Sequence, residues 1–399
     1  MTRRSILVVT ENFPNRHTPF LGTYVATTLR ALAERHRVVA LIPTHVPLVR
    51  SAATDAADPV VPGVVVVRMS RYSLPLRGLM RAGLLSRDMF FHLAKRRLRS
   101  ALIERAHALH GMYRFDLVHG QEVLVGDEAV PVARALGLRS LVTIHGLAPY
   151  HAEFVGSRAM AAIVRNLREA DALSTVSESA RRSYREAGVD HPRFEVIANA
   201  VGPLSSAMLP SPWRDRLQGK RVILYVGFLV PAKRPAALID LACVLRGDAN
   251  LRDVVMVLVG SGPQEPELRG RVESAGLSDV VLFAGARPPD EMGAWYAASS
   301  LVVHPSVSEA FSTVCLEAAT AGRPIVCTEA AAPPGLAAAG AGVVVPTDNG
   351  ETLAQEVRSL MGDAARRRTM GDAGRRFASA FTVEAQVAAF EALYDSMLA

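Results

Sequence analysis

The sequence predicts a doubly wound α/β fold in two domains, on three observations. Short apolar runs alternate with helix-length segments along the whole chain, the order expected of repeated strand–helix units. The runs are rich in Val, Ile and Leu without polar alternation, which suits parallel strands buried on both faces. At 399 residues the chain is too long for one ordinary core, and the alternation breaks once, between Asn199 and Lys220.

In the first half the strands read as SILVVT from Ser5, HRVVALIP from His36, FDLVHG from Phe115, RSLVTIH from Arg139, ALSTVS from Ala172 and RFEVIAN from Arg193. Two arginines precede the run Ile6 to Val9 and no small-residue cleavage site follows, so the start predicts a strand and not a signal peptide. The break carries Pro203, Pro210, Pro212, Gly202, Gly219 and several serines, which predicts a linker over 201–220 between domains 1–200 and 221–380. The second series reads RVILYVGF from Arg221, DVVMVLVGSG from Asp253, VVLFAG from Val280, SLVVHPS from Ser300 and PIVCT from Pro324. Val383, Val387, Phe390, Leu393, Tyr394 and Leu398 recur at helical spacing, so 381–399 is expected as an amphipathic helix packing back toward the first domain.

Half the residues are apolar and 21% are charged, the balance of a soluble globular chain. No Leu/Ile/Val/Phe-rich run reaches bilayer length. Cys243, Cys315 and Cys327 sit in apolar segments without disulfide or zinc spacing, which predicts three small core residues in a reducing cytoplasm. Of 45 lysines and arginines only Lys95, Lys220 and Lys233 are lysines. Arg68 to Arg105 holds ten cations against Asp88 and Glu104, a local +8 beside a whole-chain excess of +7, so the rest of the chain is close to neutral. No nucleic-acid partner is expected.

In open α/β sheets ligands sit beyond the carboxyl ends of the strands, so the residues after each run carry the chemistry. Glu309 and Glu317 stand eight positions apart in HPSVSEAFSTVCLEAATAGRPIVCT. A helix starting near Ser312 or Thr313 would place Glu309 in the preceding loop and Glu317 a turn in, with the Thr313 and Val314 amides open to an anionic phosphate. A carboxylate only accepts, so Glu317 suits sugar hydroxyls; the bland alternative is a pair of solvated helix-start residues. Lys233 and Arg234 follow the turn at Gly227, where a cation could neutralise a leaving diphosphate. His145 and Gly22 follow strands of the first half, and each is as readily a structural residue as an acceptor-side one. Glu265 stands where a dinucleotide fingerprint after Gly260 and Gly262 needs its third glycine, and no metal-ligand spacing, Walker loop or nucleophile elbow occurs.

Taken together these segments resemble the glycosyltransferase family 4 members of the GT-B fold, retaining enzymes that use a nucleotide-sugar donor. The resemblance is carried by YVGFLVPAKR, VLVGSGPQEPEL, the stretch VLFAG to PIVCT and VIANAV, with FPNRHTPFLGTYV, FDLVHG and TIHG collinear in the first half. It implies two Rossmann-like domains facing across a cleft, the first on the acceptor side and the second holding the donor. Glu317 would bind the donor ribose, the Thr313 and Val314 amides the diphosphate, Glu309 the transferred sugar or its phosphate, Lys233 the diphosphate, and His145 with Gly22 the sugar and acceptor side. Gly227, Arg234, Phe311 and Ser312 complete the implied donor set. Departures stand at Phe228, where the family often has Arg, at Ala310, Ser312 and Ala200, where it has glycines, and at Leu147.

The resemblance implies a retaining, metal-independent transfer of a hexose to a glycan or glycolipid acceptor in envelope or exopolysaccharide assembly, with no cofactor beyond the nucleotide sugar. A nucleotide-sugar 2-epimerase and a non-catalytic nucleotide-sugar-binding protein are the alternatives. The segment 71–105 reads either as a basic face resting on an anionic membrane at the inner surface or as an ordinary amphipathic helix with solvated arginines.

Overall fold

The computed structural model describes residues 3–15, 18, 20–43, 61–69, 86–148, 157–205 and 208–399. The chain divides into two compact units, Met1–Asn199 with Val383–Ala399, and Ala200–Thr382. In the first, β1 (Ser5–Thr10), α1 (Thr23–Arg35), β2 (Arg37–Pro43), β3 (Val64–Met69), α2 (Arg87–Tyr113), β4 (Leu117–Gln121), α3 (Ala129–Leu136), β5 (Arg139–Ile144), α4 (Ser157–Arg168), β6 (Ala172–Thr175), α5 (Glu178–Glu186) and β7 (Phe194–Val196) follow one another. The described strands form one parallel sheet in the order β3-β2-β1-β4-β5-β6-β7. Strand order therefore reverses between β1 and β4, which opens a crevice beyond their carboxyl ends.

The second unit runs α6 (Ser211–Leu217), β8 (Arg221–Val226), α7 (Ala236–Leu245), β9 (Val254–Val259), α8 (Glu265–Ser274), β10 (Val281–Gly285), α9 (Met292–Ala298), β11 (Leu301–His304), α10 (Thr313–Thr320), β12 (Ile325–Thr328), β13 (Val343–Val345), α11 (Gly350–Gly362) and α12 (Ala364–Ala378). Its parallel sheet has the order β10-β9-β8-β11-β12-β13, reversing between β8 and β11. Central strands such as β1 and β9 are buried at every position, which is why they read as unbroken apolar runs. The final helix, α13 (Val383–Leu398), belongs to the first unit, where Phe390 and Tyr394 are buried beside β1 and β2 residues.

Three expectations need correction. The stretch 201–220 is not a free linker: Leu209 and Leu217 are buried in the second unit's core, and the Trp213 ring lies edge-on to Trp295 at 5.2 Å. Its prolines start a helix, because proline is tolerated in the first helical turn. Cys243 is exposed on α7, while Cys315 and Cys327 are buried. On α13 it is Met397 that is buried and Leu398 that is exposed, one position off the assumed stripe. The edge strands β3 and β13 are absent from the runs above; β3 is half-exposed and β13 spans three residues, so neither has the profile of a central strand.

Phe390 is 1% exposed with its ring 5.2 Å from His119, so Phe390→Ala should cost about 3–5 kcal/mol. Urea unfolding followed by fluorescence measures it; a loss below about 1 kcal/mol would mean that α13 is not part of the first unit's core.

Candidate functional site

At the switch point of the second unit the chain leaves β8 through Gly227, at φ 154°. A Cβ on Gly260 would stand 1.9 Å from the Gly227 carbonyl, and one on Gly262 2.4 Å from that of Leu229. The loops after β8 and β9 thus pack backbone on backbone, and only glycine fits. The Gly227 amide donates to the Val259 carbonyl at 3.0 Å, the Leu229 amide to Ser261 at 3.0 Å, and the buried Tyr225 hydroxyl to the Phe228 carbonyl at 3.0 Å. This scaffold fixes the short turn Pro231–Lys233.

From that turn the Lys233 ammonium reaches Glu309, in the loop after β11, and His304 at the end of β11 donates from Nε2 to the same carboxylate at 2.9 Å. Burial would raise the Glu309 pKa, but the His304 hydrogen bond and the Lys233 charge outweigh it and hold the carboxyl at about 2. An ionised carboxylate only accepts, so His304 Nε2 carries a proton. Arg234, in the left-handed region at φ 51°, donates its guanidinium to the Thr347 carbonyl.

Helix α10 begins at Thr313, directly after Phe311 and Ser312. Ser312 caps it, its hydroxyl accepting from the Cys315 amide at 3.2 Å, which leaves the Thr313 and Val314 amides as orphan donors of the helix start. Glu317 lies one turn in, and the buried Tyr296 hydroxyl donates to its Oε2 at 2.6 Å. Burial raises the Glu317 pKa, opposed by that hydrogen bond. Phe311 packs at 5.8 Å from the Phe381 ring. The positive end of the helix, the ammonium and two anchored carboxylates thus share one sheet end, and such a set can hold a phosphate at its donors and hydroxyls at its acceptors.

The first unit presents a different set. Gly22 caps α1 at φ 69°, where a Cβ would meet the Asn12 carbonyl at 2.2 Å. His145, just past β5, donates to Gln121 Oε1 at 2.6 Å; Gln121 Nε2 is 3.0 Å from His119, whose Nδ1 is 2.7 Å from the Tyr394 hydroxyl on α13. Burial pushes the His145 pKa down to about 3, so the imidazole is neutral at physiological pH. The Tyr24 ring lies 4.7 Å from it, and the Tyr24 hydroxyl donates to Glu122, past the end of β4. Burial, with the Glu122 charge nearby, pushes Glu11 at the end of β1 up to about 8. This switch point is therefore acidic.

Two family models match in tandem: a glycosyl transferase 4-like domain over residues 21–200 and a glycosyl transferases group 1 domain over residues 213–377. The chain belongs to the family 4 glycosyltransferases. This glycosyltransferase is 33% identical over 57% of its length to a D-inositol 3-phosphate glycosyltransferase from Frankia alni, and 28% identical over 88% of its length to one from Kribbella flavida. The aligned stretch spans 60% of the first and 86% of the second. A Streptomyces bingchenggensis protein of the same description is 29% identical over 76% of the glycosyltransferase, with 63% of its own length aligned. Among solved structures, sucrose-phosphate synthase from Thermosynechococcus elongatus matches with a TM-score of 0.72 at 21% identity over 99% of each chain. Anabaena HepE in complex with UDP and glucose matches at 0.71 and 18% identity over 99% of this chain and 100% of that one. Both place the glycosyltransferase in the α/β GT-B fold.

The structure brings Gly227, Lys233, Glu309, Ser312, Thr313, Val314 and Glu317 to one sheet end of the glycosyltransferase, and Gly22 and His145 to the other unit's. Arg234 is engaged by the Thr347 carbonyl. Sequence reading passed over His304 and Tyr296, the two side chains that hold the glutamates. His304 ends a strand, which is the signal that finds it; Tyr296 lies inside a helix and carries none. Glu11 yields a pH test. Its folded pKa of about 8 exceeds the ordinary 4.5, so its contribution favours folding below about pH 4.5 and is lost as pH rises to about 8. The Glu11→Gln variant should lack that loss, its Tm gaining on the wild type between pH 5 and 8; a constant Tm difference over that range would contradict the protonated Glu11.

Proposed function

We propose that the second unit's sheet end binds a nucleotide-diphosphate sugar and that the protein transfers its hexose, with retention, to a glycan or glycolipid acceptor. The observation that carries this is the convergence of the Lys233 ammonium, the α10 amide donors and the Tyr296-anchored Glu317 beyond β8 and β11. Glu317 would accept the ribose hydroxyls, and Thr313 and Val314 would donate to the diphosphate. Lys233, drawn from Glu309 toward the leaving group, would neutralise charge as the glycosidic bond breaks, each charge-assisted hydrogen bond contributing about 1.5–3 kcal/mol. Glu309 would accept from hydroxyls of the transferred sugar, held ionised by His304. The departing diphosphate can take the acceptor's proton on its own face, which gives retention without a covalent nucleophile. Fixed donors supply the electrostatic stabilisation, so this reading needs no metal and no cofactor.

The HepE complexes with UDP and with UDP-glucose support a nucleotide-sugar donor. The inositol phosphate relatives support a hydroxyl-bearing acceptor, which the neutral His145 and the Glu11, Glu122 and Tyr24 cluster of the first unit suit. Envelope or exopolysaccharide assembly on the cytoplasmic side is the setting this reading takes. Contact with an anionic membrane would rest on charge: Phe90 and Phe91 are buried, residues 70–85 lie outside the described ones, and Arg96, Arg97 and Arg105 are exposed. Among the described residues no helix is long and apolar enough to cross a membrane.

Transfer from uridine, guanosine and adenosine diphosphate sugars, assayed with excess chelator, tests the proposal. One donor should turn over, and Lys233→Ala and Glu317→Ala should each lower turnover by about 10²–10³. Glu309→Gln should lower turnover more than nucleotide affinity. Near-normal turnover in the Lys233 or Glu317 variant, or activity restored only by added magnesium or manganese, would overturn it.

A further inference from the structure

The first unit contains a cavity of about 190 Å³ between α2 and α4, lined by His92, Lys95, Arg96, Arg99, Ala162 and Arg165, and its floor reaches the end of β4, where the Lys95 ammonium donates to the Leu124 carbonyl at 2.9 Å. It has room for several waters, or for a phosphoryl ester. Its floor is already neutralised. Lys95 Nζ lies 2.6 Å from Asp127 Oδ1 and 3.3 Å from Glu128 Oε1, and Arg99 Nε lies 2.7 Å from Glu128 Oε2. Both carboxylates are fully buried, and Asn166 donates to the remaining Asp127 oxygen at 2.7 Å.

The rim is not neutralised. Arg96 and Arg165 are exposed, and their guanidinium groups have no ion pair or hydrogen bond among the described residues. Asp127 and Glu128 match Lys95 and Arg99, and Glu169, itself paired with Arg134, also acts on Arg99, so the positive charge left at the cavity is that of Arg96 and Arg165 on the rim. On α2 the cations at 95, 96 and 99 recur at spacings of three and four, so like charges share one helix face, an arrangement that costs stability and that Asp127 and Glu128 offset only at Lys95 and Arg99. An anion between them would reverse that cost. A phosphate monoester carries close to two negative charges near neutral pH, and guanidinium forks match its oxygens in pairs.

We infer that this cavity is a binding site for a phosphoryl group, held by Arg96 and Arg165 at the rim with Lys95 and Arg99 behind them. The chemistry is the same for a soluble phosphate ester and for a lipid phosphate headgroup. Every lining residue belongs to the first unit, whereas the proposed donor residues belong to the second.

The test uses the full chain, titrated calorimetrically with glycerol 3-phosphate at fixed ionic strength, and sedimented with phosphatidylcholine vesicles that contain phosphatidic acid. The Arg96→Gln, Arg165→Gln double variant should weaken binding at least tenfold, whereas Arg97→Gln on the same helix and Lys233→Ala in the second unit should leave it within twofold. Arginine-dependent binding to the soluble ester identifies a soluble source, and arginine-dependent pelleting with the vesicles alone identifies a lipid; either supports the site. Binding of neither probe, wild-type affinity in the double variant, or an equal loss in Arg97→Gln would overturn it, and loss only in Lys233→Ala would assign the anion to the second unit instead.

Discussion

Glu309 is nearly buried and still ionised, and it can be so only because Lys233 and His304 reach it from two different strand ends. That pairing ties the loop after β8 to the end of β11, the two strands that flank the reversal of the second sheet. A parallel sheet opens a crevice at such a reversal whatever its sequence; the charges decide what the crevice can hold. Here the ammonium is held in place by Glu309 before any ligand arrives, so little reorganisation is needed when an anion enters. The glycines after β9 serve the same end, letting the neighbouring loop approach closely enough to brace the turn that carries Lys233.

The two units share a topology and differ in chemistry. In the second, a helix start and a lysine make the strand ends attractive to phosphate. In the first, Glu11, Glu122 and a neutral His145 make them suited to hydroxyls. The His145 ring is positioned by a relay through Gln121 and His119 to Tyr394, so the last helix of the chain reaches the first unit's strand ends through four polar side chains.

Much of this was legible in the sequence because buried parallel strands leave unbroken apolar runs and strand ends are marked by Gly, Ser and Pro. Glu309, Glu317 and Lys233 could be picked out as charges just beyond such runs. Tyr296 could not: it anchors Glu317 from inside a helix, 21 positions away, through a contact that only the tertiary fold creates. Helix α6 was masked by prolines that also read as a linker, since the same residue starts helices and interrupts them. The edge strands β3 and β13 lack the two-sided burial that gives central strands their signature.

The central claim is that the start of α10 and the anchored Glu317 form a nucleotide site. Calorimetric titration of uridine, guanosine and adenosine diphosphates into the wild type and into Tyr296→Phe tests it most directly, because Phe keeps the packing and removes only the hydroxyl that holds Glu317. One of the three nucleotides should bind, and the substitution should weaken it about tenfold, as expected for one hydrogen bond of about 1.4 kcal/mol. Binding of none of them, or equal affinity in both proteins, would contradict the claim.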